Sequence, residues 1–297
     1  MSIPPLSVVV PTKDPWPGLK DCLDALLDQV AETGAELIVV DGSGEGLPSD
    51  EASPYRRVKL VRAFGESVFA LRVRGVDAAR GDLLAVTEDH CLVDGGWCAE
   101  IIEAHRRRPE AAAIAGAIEN GSTGRFMDWA NFLMTFSPFM APIDRTERHR
   151  IPPPPNVSYK RSVIEGRRLE GGSAEFELNP ALAAAGLMEL DDRVALTHVQ
   201  SLGVAGTMAG HFHNGRSTTG MAHAGSPWSS RRTRLRSYLN RPVSLARHTL
   251  RSVRRRDLPI RARLSLPLVV VLCLCHAAGE LTGIATGGAG QSPEAIG

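Results

Sequence analysis

Over its first 120 residues the chain alternates short β-branched runs with stretches of helical periodicity. Leu6–Val10 (LSVVV) is a short β-branched run that stops at Pro11, the pattern of a strand buried on both faces. Gly18–Val30 places Leu19, Cys22, Leu23, Leu26, Leu27 and Val30 at helical spacing, and Gly34 breaks it. Glu36–Val40 (ELIVV) predicts a second buried strand and Val58–Val61 a third. A helix over Val68–Ala79 closes at Gly81, a fourth strand follows at Leu83–Thr87 (LLAVT), then an amphipathic helix at Gly96–Arg107 and a strand at Ala112–Ile118. This order predicts an α/β fold, with a mostly parallel central sheet covered by helices on both faces. Further on, Ile151–Pro155 (IPPPP) reads as a stiff linker or loop. It is followed by Val157–Tyr159, a turn at Gly171-Gly172, a helix near Asn179–Ala185 and the stretch Arg193–His198.

Composition narrows the class. With 297 residues and 43% hydrophobic content, the chain is long enough for a sizeable domain with appendages. A formal net charge of +1 gives no global field that would draw it to nucleic acid. Five cysteines without a CxxC pair argue against a disulfide framework or a zinc ribbon and for reduced thiols. The start, Met1-Ser-Ile-Pro-Pro, lacks the basic and apolar regions of a signal peptide.

Ligands of such sheets lie beyond the carboxyl ends of the strands. Those ends are Thr12–Asp14, Asp41–Gly44 and Glu88–His90, so polar side chains gather there. Glu88, Asp89 and His90 leave one strand end together. Carboxylate and imidazole suit Mn²⁺, and carboxylate alone suits Mg²⁺, so the triplet is a candidate divalent-cation site. Neither a Walker A loop nor a Ser-His-Asp spacing is present, and Gly42-x-Gly44-x-Gly46 is too loose for a dinucleotide fingerprint.

Taken together, Ser7-Val-Val-Val-Pro-Thr, Val39-Val-Asp-Gly-Ser, Arg72-x-x-Gly75-x-x-x-Ala79-x-Gly81 and Glu88-Asp-His-Cys followed by Trp97 resemble family 2 glycosyltransferases of the GT-A fold. The resemblance extends over about Leu6–His198 and implies a nucleotide-diphospho-sugar transferase. It places Thr12, Asp14 and Asp41 on the base and ribose of the donor, with Arg72 near the nucleotide. Glu88 and His90 take the two Asp places of the family's Asp-x-Asp metal motif, with Asp89 between them as the alternative ligand. Asn156-Val-Ser-Tyr-Lys-Arg resembles the strand lining the acceptor side. Glu175 falls in the place of the catalytic base, Ala174 stands where an acid is usual, and Glu177 competes for the role. His198 matches a late histidine near the metal or diphosphate. His211, His213 and Arg216 (HFHNGR) read either as a mobile loop gripping the diphosphate or as a solvated turn.

The implied activity is inverting, divalent-metal-dependent sugar transfer to an acceptor hydroxyl, with a nucleotide sugar as donor and a glycan or lipid-linked acceptor. The alternatives are a sugar-nucleotide-binding scaffold that has lost turnover and a nucleotidyltransferase. The Arg-rich stretch Arg231–Arg263 has a single acid, Asp257, and precedes the apolar stretch Leu264–Thr286. The mainly apolar part of that stretch, to Ala278, is about 15 residues, or roughly 22 Å of helix, short of the ~20 residues that span a bilayer. A re-entrant or interface-lying helix fits as well as a span, with the arginines on anionic lipid at the cytoplasmic face. Few aromatics accompany the basic tract, so nucleic acid is not the expected partner. The expected organisation is a transferase domain over 1–225, an Arg-rich linker or amphipathic helix over 226–263, a membrane-associated helix over 264–286 and a disordered tail over 287–297.

Overall fold

A computed structural model describes residues 3–48, 53–144, 154–165, 178–223, 225–230, 238 and 240–286. In chain order its strands are β1 (Leu6–Thr12), β2 (Glu36–Asp41), β3 (Lys59–Arg62), β4 (Leu83–Val86), β5 (Cys91–Val93), β6 (Ala113–Asn120), β7 (Val157–Lys160) and β8 (Met188–His198). Its helices are α1 (Lys20–Thr33), α2 (Val68–Ala78), α3 (Trp97–Arg107), α4 (Phe126–Phe136), α5 (Asn179–Ala184), α6 (Gly203–Ala222), α7 (Arg241–Arg254), α8 (Ile260–Leu264) and α9 (Leu266–Thr286). The chain forms two compact units. One comprises Met1–Glu119 and Phe139–Val199, the other Asn120–Pro138 and Gln200–Gly297.

The first unit is the expected α/β layer structure. Its eight-stranded sheet has the order β3-β2-β1-β4-β7-β6-β8-β5. The four strands β3, β2, β1 and β4 run parallel, and β7 joins β4 antiparallel. Every residue of β1 is buried, which explains its run of valines. The chain moves from β1 to β2 in one direction along the sheet and from β3 to β4 in the other. Right-handed crossovers therefore put α1 and α2 on opposite faces. α1 ends at Gly34, whose φ of 68° is the left-handed cap that glycine accepts without strain.

α2 lies unusually close to the sheet. A Cβ on Gly75 would stand 2.2 Å from Cγ1 of Val9, so only glycine fits there. At the far side of the layer, Asn156 is a buried staple. Its Nδ2 donates to the carbonyls of Ala117 on β6 and Val194 on β8, and its Oδ1 accepts from Nε1 of Trp97.

The second unit is helical. α9 packs on α6, α4, α7 and α8. α6 and α9 meet backbone to backbone: a Cβ on Gly215 would sit 2.2 Å from the carbonyl of His276, and one on Gly279 1.9 Å from that of Phe212. Such contact lets this pair exclude side chains from the crossing, the same use of small residues that brings membrane helices together. The segment HFHNGR, expected as a loop or turn, is part of this helix. Gly215, which lowers its intrinsic helicity, is the residue that lets it dock on α9. α9 is 21 residues long and is, by length and composition, apolar enough to cross a membrane. Residues 287–297 lie outside the described residues.

Candidate active site

The site is assembled at the carboxyl ends of β1, β2 and β4 and the last residue of β8. Glu88, Asp89 and His90 follow β4 in a turn closed by a hydrogen bond from the Cys91 amide to the Glu88 carbonyl, 3.0 Å. The thiol of Cys22, on α1, donates to the same carbonyl at 3.4 Å. The chain then forms β5, a three-residue strand that the hydropathy pattern does not announce. β5 pairs antiparallel with β8 in the register Cys91↔His198, and the Val199 amide donates to the His90 carbonyl at 2.9 Å. This pairing carries His198 across 108 residues of sequence to within 3.0 Å of His90, Nε2 to Nε2.

Three donor atoms converge there. Oε2 of Glu88 is 3.3 Å from Nε2 of His90 and 3.7 Å from Nε2 of His198. Glu88 and His90 are each held from behind. Oε1 of Glu88 accepts from a guanidinium nitrogen of Arg72 at 2.8 Å, and Nδ1 of His90 is 2.8 Å from Oδ1 of Asp89. Oδ2 of Asp89 in turn accepts from the Thr12 hydroxyl at 2.6 Å. The spacing of the Arg72-x-x-Gly75 pair now has a physical reason. Residues three apart share a helix face, so the glycine that seats α2 on β1 also brings Arg72 over the end of β4.

The charges of the cluster are coupled. Burial opposes ionisation of Glu88, but His198, His90 and Arg72 outweigh it and hold its carboxyl well below the usual range. Burial likewise works against a charged His90, yet its bonds to Asp89 and Glu88 push it up to about 10. Burial and the neighbouring His90 keep His198 below the ordinary histidine value, against the pull of Glu88. The physical picture is one proton between two imidazoles: the Nε2 atoms are 3.0 Å apart, so one donates and the other accepts.

The donor spacing fits a divalent cation. Ligands about 2.1 Å from one ion stand roughly 3.0–3.4 Å apart, which is close to the three separations here. Cys91, with Glu88 and His198, also offers ligand atoms within 4.8 Å of one another. Its thiol is buried, and burial together with the Glu88 charge raises it well above the ordinary cysteine value. His90 offers Nε2 at 3.0 Å from His198 and 3.3 Å from Glu88, with Asp89 behind its Nδ1.

Two other predicted residues are engaged differently. The Asp41 carboxylate closes its own turn, accepting from the Ser43 amide and hydroxyl and from the Gly44 and Gly46 amides. Burial opposes this ionised form, but those bonds hold its pKa below the usual value. Gly44 and Gly46 have φ of 89° and 79°, which is what lets the loop fold back on the acid. Thr12 is the register partner of Asp41. Asp14 is exposed, and its amide donates to the Thr12 hydroxyl at 3.1 Å. Glu175, with Ala174 and Glu177, lies outside the described residues. His211, His213 and Arg216 belong to α6 of the second unit, where Nε2 of His211 is 2.9 Å from Oδ1 of Asn131. Sequence reasoning did not find Cys22, Cys91 or the holding role of Asp89.

Comparison with known proteins agrees with this architecture. Residues 7–167 match the family model described as Glycosyl transferase family 2. A protein of Bacillus subtilis (strain 168), named "Putative glycosyltransferase EpsH", is 25% identical over 182 residues, which is 57% of this chain and 51% of that protein. The chain thus spans about half the length of this curated relative.

Proposed function

Because the chain belongs to glycosyl transferase family 2, we propose that it transfers a sugar from a nucleotide-diphosphate donor to an acceptor hydroxyl, with inversion at the anomeric carbon. The observation that carries this reading is the convergence of Glu88, His90 and His198 at the end of β4, with Arg72 beside them. Glu88, His90 and His198 would hold a divalent cation, Mn²⁺ or Mg²⁺, which when bound neutralises the diphosphate of the donor. Arg72 lies beside this place with a charge that suits phosphate. Thr12, Asp14 and Asp41 line the side assigned to base and ribose. Asp41 acts there chiefly by shaping the turn 41–46, whose backbone the donor would meet.

The acceptor oxygen attacks the anomeric carbon from the face opposite the diphosphate. The bond from that carbon to the phosphate oxygen breaks, and the acceptor proton passes to a carboxylate, assigned to Glu175. Incubation with tagged nucleotide sugars, lipid extract and manganese tests the assignment. Glu175→Gln should lower the rate about 10²–10⁴-fold, and undiminished transfer would remove Glu175 as the base. A second reading, nucleotide-sugar binding without turnover, is motivated by the irregular metal motif Glu88-Asp89-His90 and by Ala174 in the place of an acid. Nucleotide binding with neither transfer nor hydrolysis would select it.

We assign catalysis to residues 1–225 and attachment to residues 226–286, at the cytoplasmic face of a membrane and as a peripheral or monotopic protein. The support is the apolar helix α9 and the exposed Ile260, Leu264, Val270 and Leu274, which accompany the arginines of α7 and α8. A lipid-linked acceptor follows from that attachment.

A further inference from the structure

The donor set at the end of β4 also bears on which cation would bind. We propose that the site selects a transition-metal dication and discriminates against Mg²⁺, using Nε2 of His90, Nε2 of His198 and Oε2 of Glu88 as ligands, with Asp89 and Arg72 as positioning residues. This rests on the transferase reading above and specifies its cofactor.

Three observations carry the inference. First, two of the three converging atoms are imidazole nitrogens. Imidazole favours the first-row transition ions, in the order Mn²⁺ below Co²⁺ below Zn²⁺. Mg²⁺ seeks carboxylates and keeps its waters. Second, a magnesium site would need more carboxylate oxygen, yet the second acid of the triplet is turned away. Asp89 gives Oδ1 to Nδ1 of His90 and Oδ2 to the Thr12 hydroxyl, so neither oxygen is offered where the three donors meet. A carboxylate behind a ligating imidazole is the arrangement that fixes the ring and leaves its other nitrogen for the metal. Third, Glu88 divides its oxygens between tasks, Oε1 to Arg72 and Oε2 to the imidazoles.

The test uses the full chain after chelation and dialysis. Cobalt binding is followed by the visible absorption of the ion, and zinc, manganese and magnesium by calorimetry. The expected result is binding tightest for Zn²⁺ and Co²⁺, weaker for Mn²⁺, and at least about 100-fold weaker for Mg²⁺ than for Co²⁺. His198→Ala should abolish the cobalt spectrum. Asp89→Asn should weaken cobalt binding about 10–100-fold and shift its bands. Thr12→Val, which removes one bond from Asp89, should do the same to a smaller extent and serves if Asp89→Asn does not fold. Cys91→Ser should leave cobalt affinity unchanged. Magnesium binding equal to that of cobalt would overturn the selectivity while leaving a metal-dependent transferase intact. A cobalt spectrum lost in Cys91→Ser but kept in His90→Ala would overturn the donor set. No binding of any cation would overturn this inference together with the metal part of the proposed function.

Discussion

The two units of the chain bury polar groups in opposite ways. In the first, buried acids and amides sit on or beside strands: Asp41 ends β2, Asn156 precedes β7 and Asp191 lies within β8. Asp41 takes backbone amides, Asn156 takes backbone carbonyls, and Asp191 takes the guanidinium groups of Arg107, Arg108 and Arg193. In the second, several buried polar side chains pair with one another: Asp128 with Ser201, His211 with Asn131, Glu280 with Arg241. Some atoms there, Oε2 of Glu280 and Nδ1 of His276 among them, have no hydrogen-bond partner among the described residues. The difference teaches where chemistry can be built. A strand end offers a fixed frame with spare donors, and a helix interior does not.

Disrupting each unit separately sharpens this contrast. The largest effect is expected from Glu88→Ala, which should cut sugar transfer about 10³-fold while leaving thermal unfolding of the second unit unchanged. Asp191→Ala comes next. It strands three arginines around a buried site and should cost about 3–5 kcal/mol, read by denaturant unfolding. Gly116→Val and Gly279→Val form a matched pair, since a Cβ at either would stand about 2 Å from a carbonyl oxygen. Each should cost about 3 kcal/mol or more. Only the first should change cobalt binding. Equal effects of both on cobalt binding would break the comparison.

A pH effect of similar size is expected at His105. It is buried, with Nε2 3.0 Å from the Ser158 hydroxyl, and burial, aided by Lys160, pushes it down to about 4. An unfolded histidine titrates near 6.5. Between those values the unfolded chain takes up the proton first, so stability falls as pH drops from about 6.5 to about 4, by about 3 kcal/mol at most. His105→Gln should flatten that slope in pH-dependent melting. The smallest effect is at the surface of the second unit. Ile260→Ser with Leu264→Ser should weaken binding to anionic vesicles about 10-fold or more, and unchanged binding would count against attachment through these residues.

Much of the first unit was legible because its signals are local. β1, β2 and β4 announce themselves as short apolar runs, and the Gly34 cap and the Arg72–Gly81 spacing read directly from the chain. β5 was not legible. Three residues carry no period, and the strand exists only because β8 pairs with it. α6 was misread at HFHNGR because glycine and asparagine signal a loop locally, while packing on α9 makes a helix of them. Asp89 was legible as an acid beside a metal motif, but not as the partner of His90 and Thr12.

The sequence alone determined which side chains leave the strand ends, because burial of apolar runs fixes the strands and pushes polar residues to their tips. It also determined the family pattern that those residues form. Only the tertiary structure decided which of them meet. The register of β5 on β8 brings His198 to Glu88 and His90, and the close seat of Gly75 on Val9 brings Arg72 to Glu88. Both are non-local contacts, set by strand pairing and by the depth to which a helix sinks onto a sheet, and neither leaves a period in the chain.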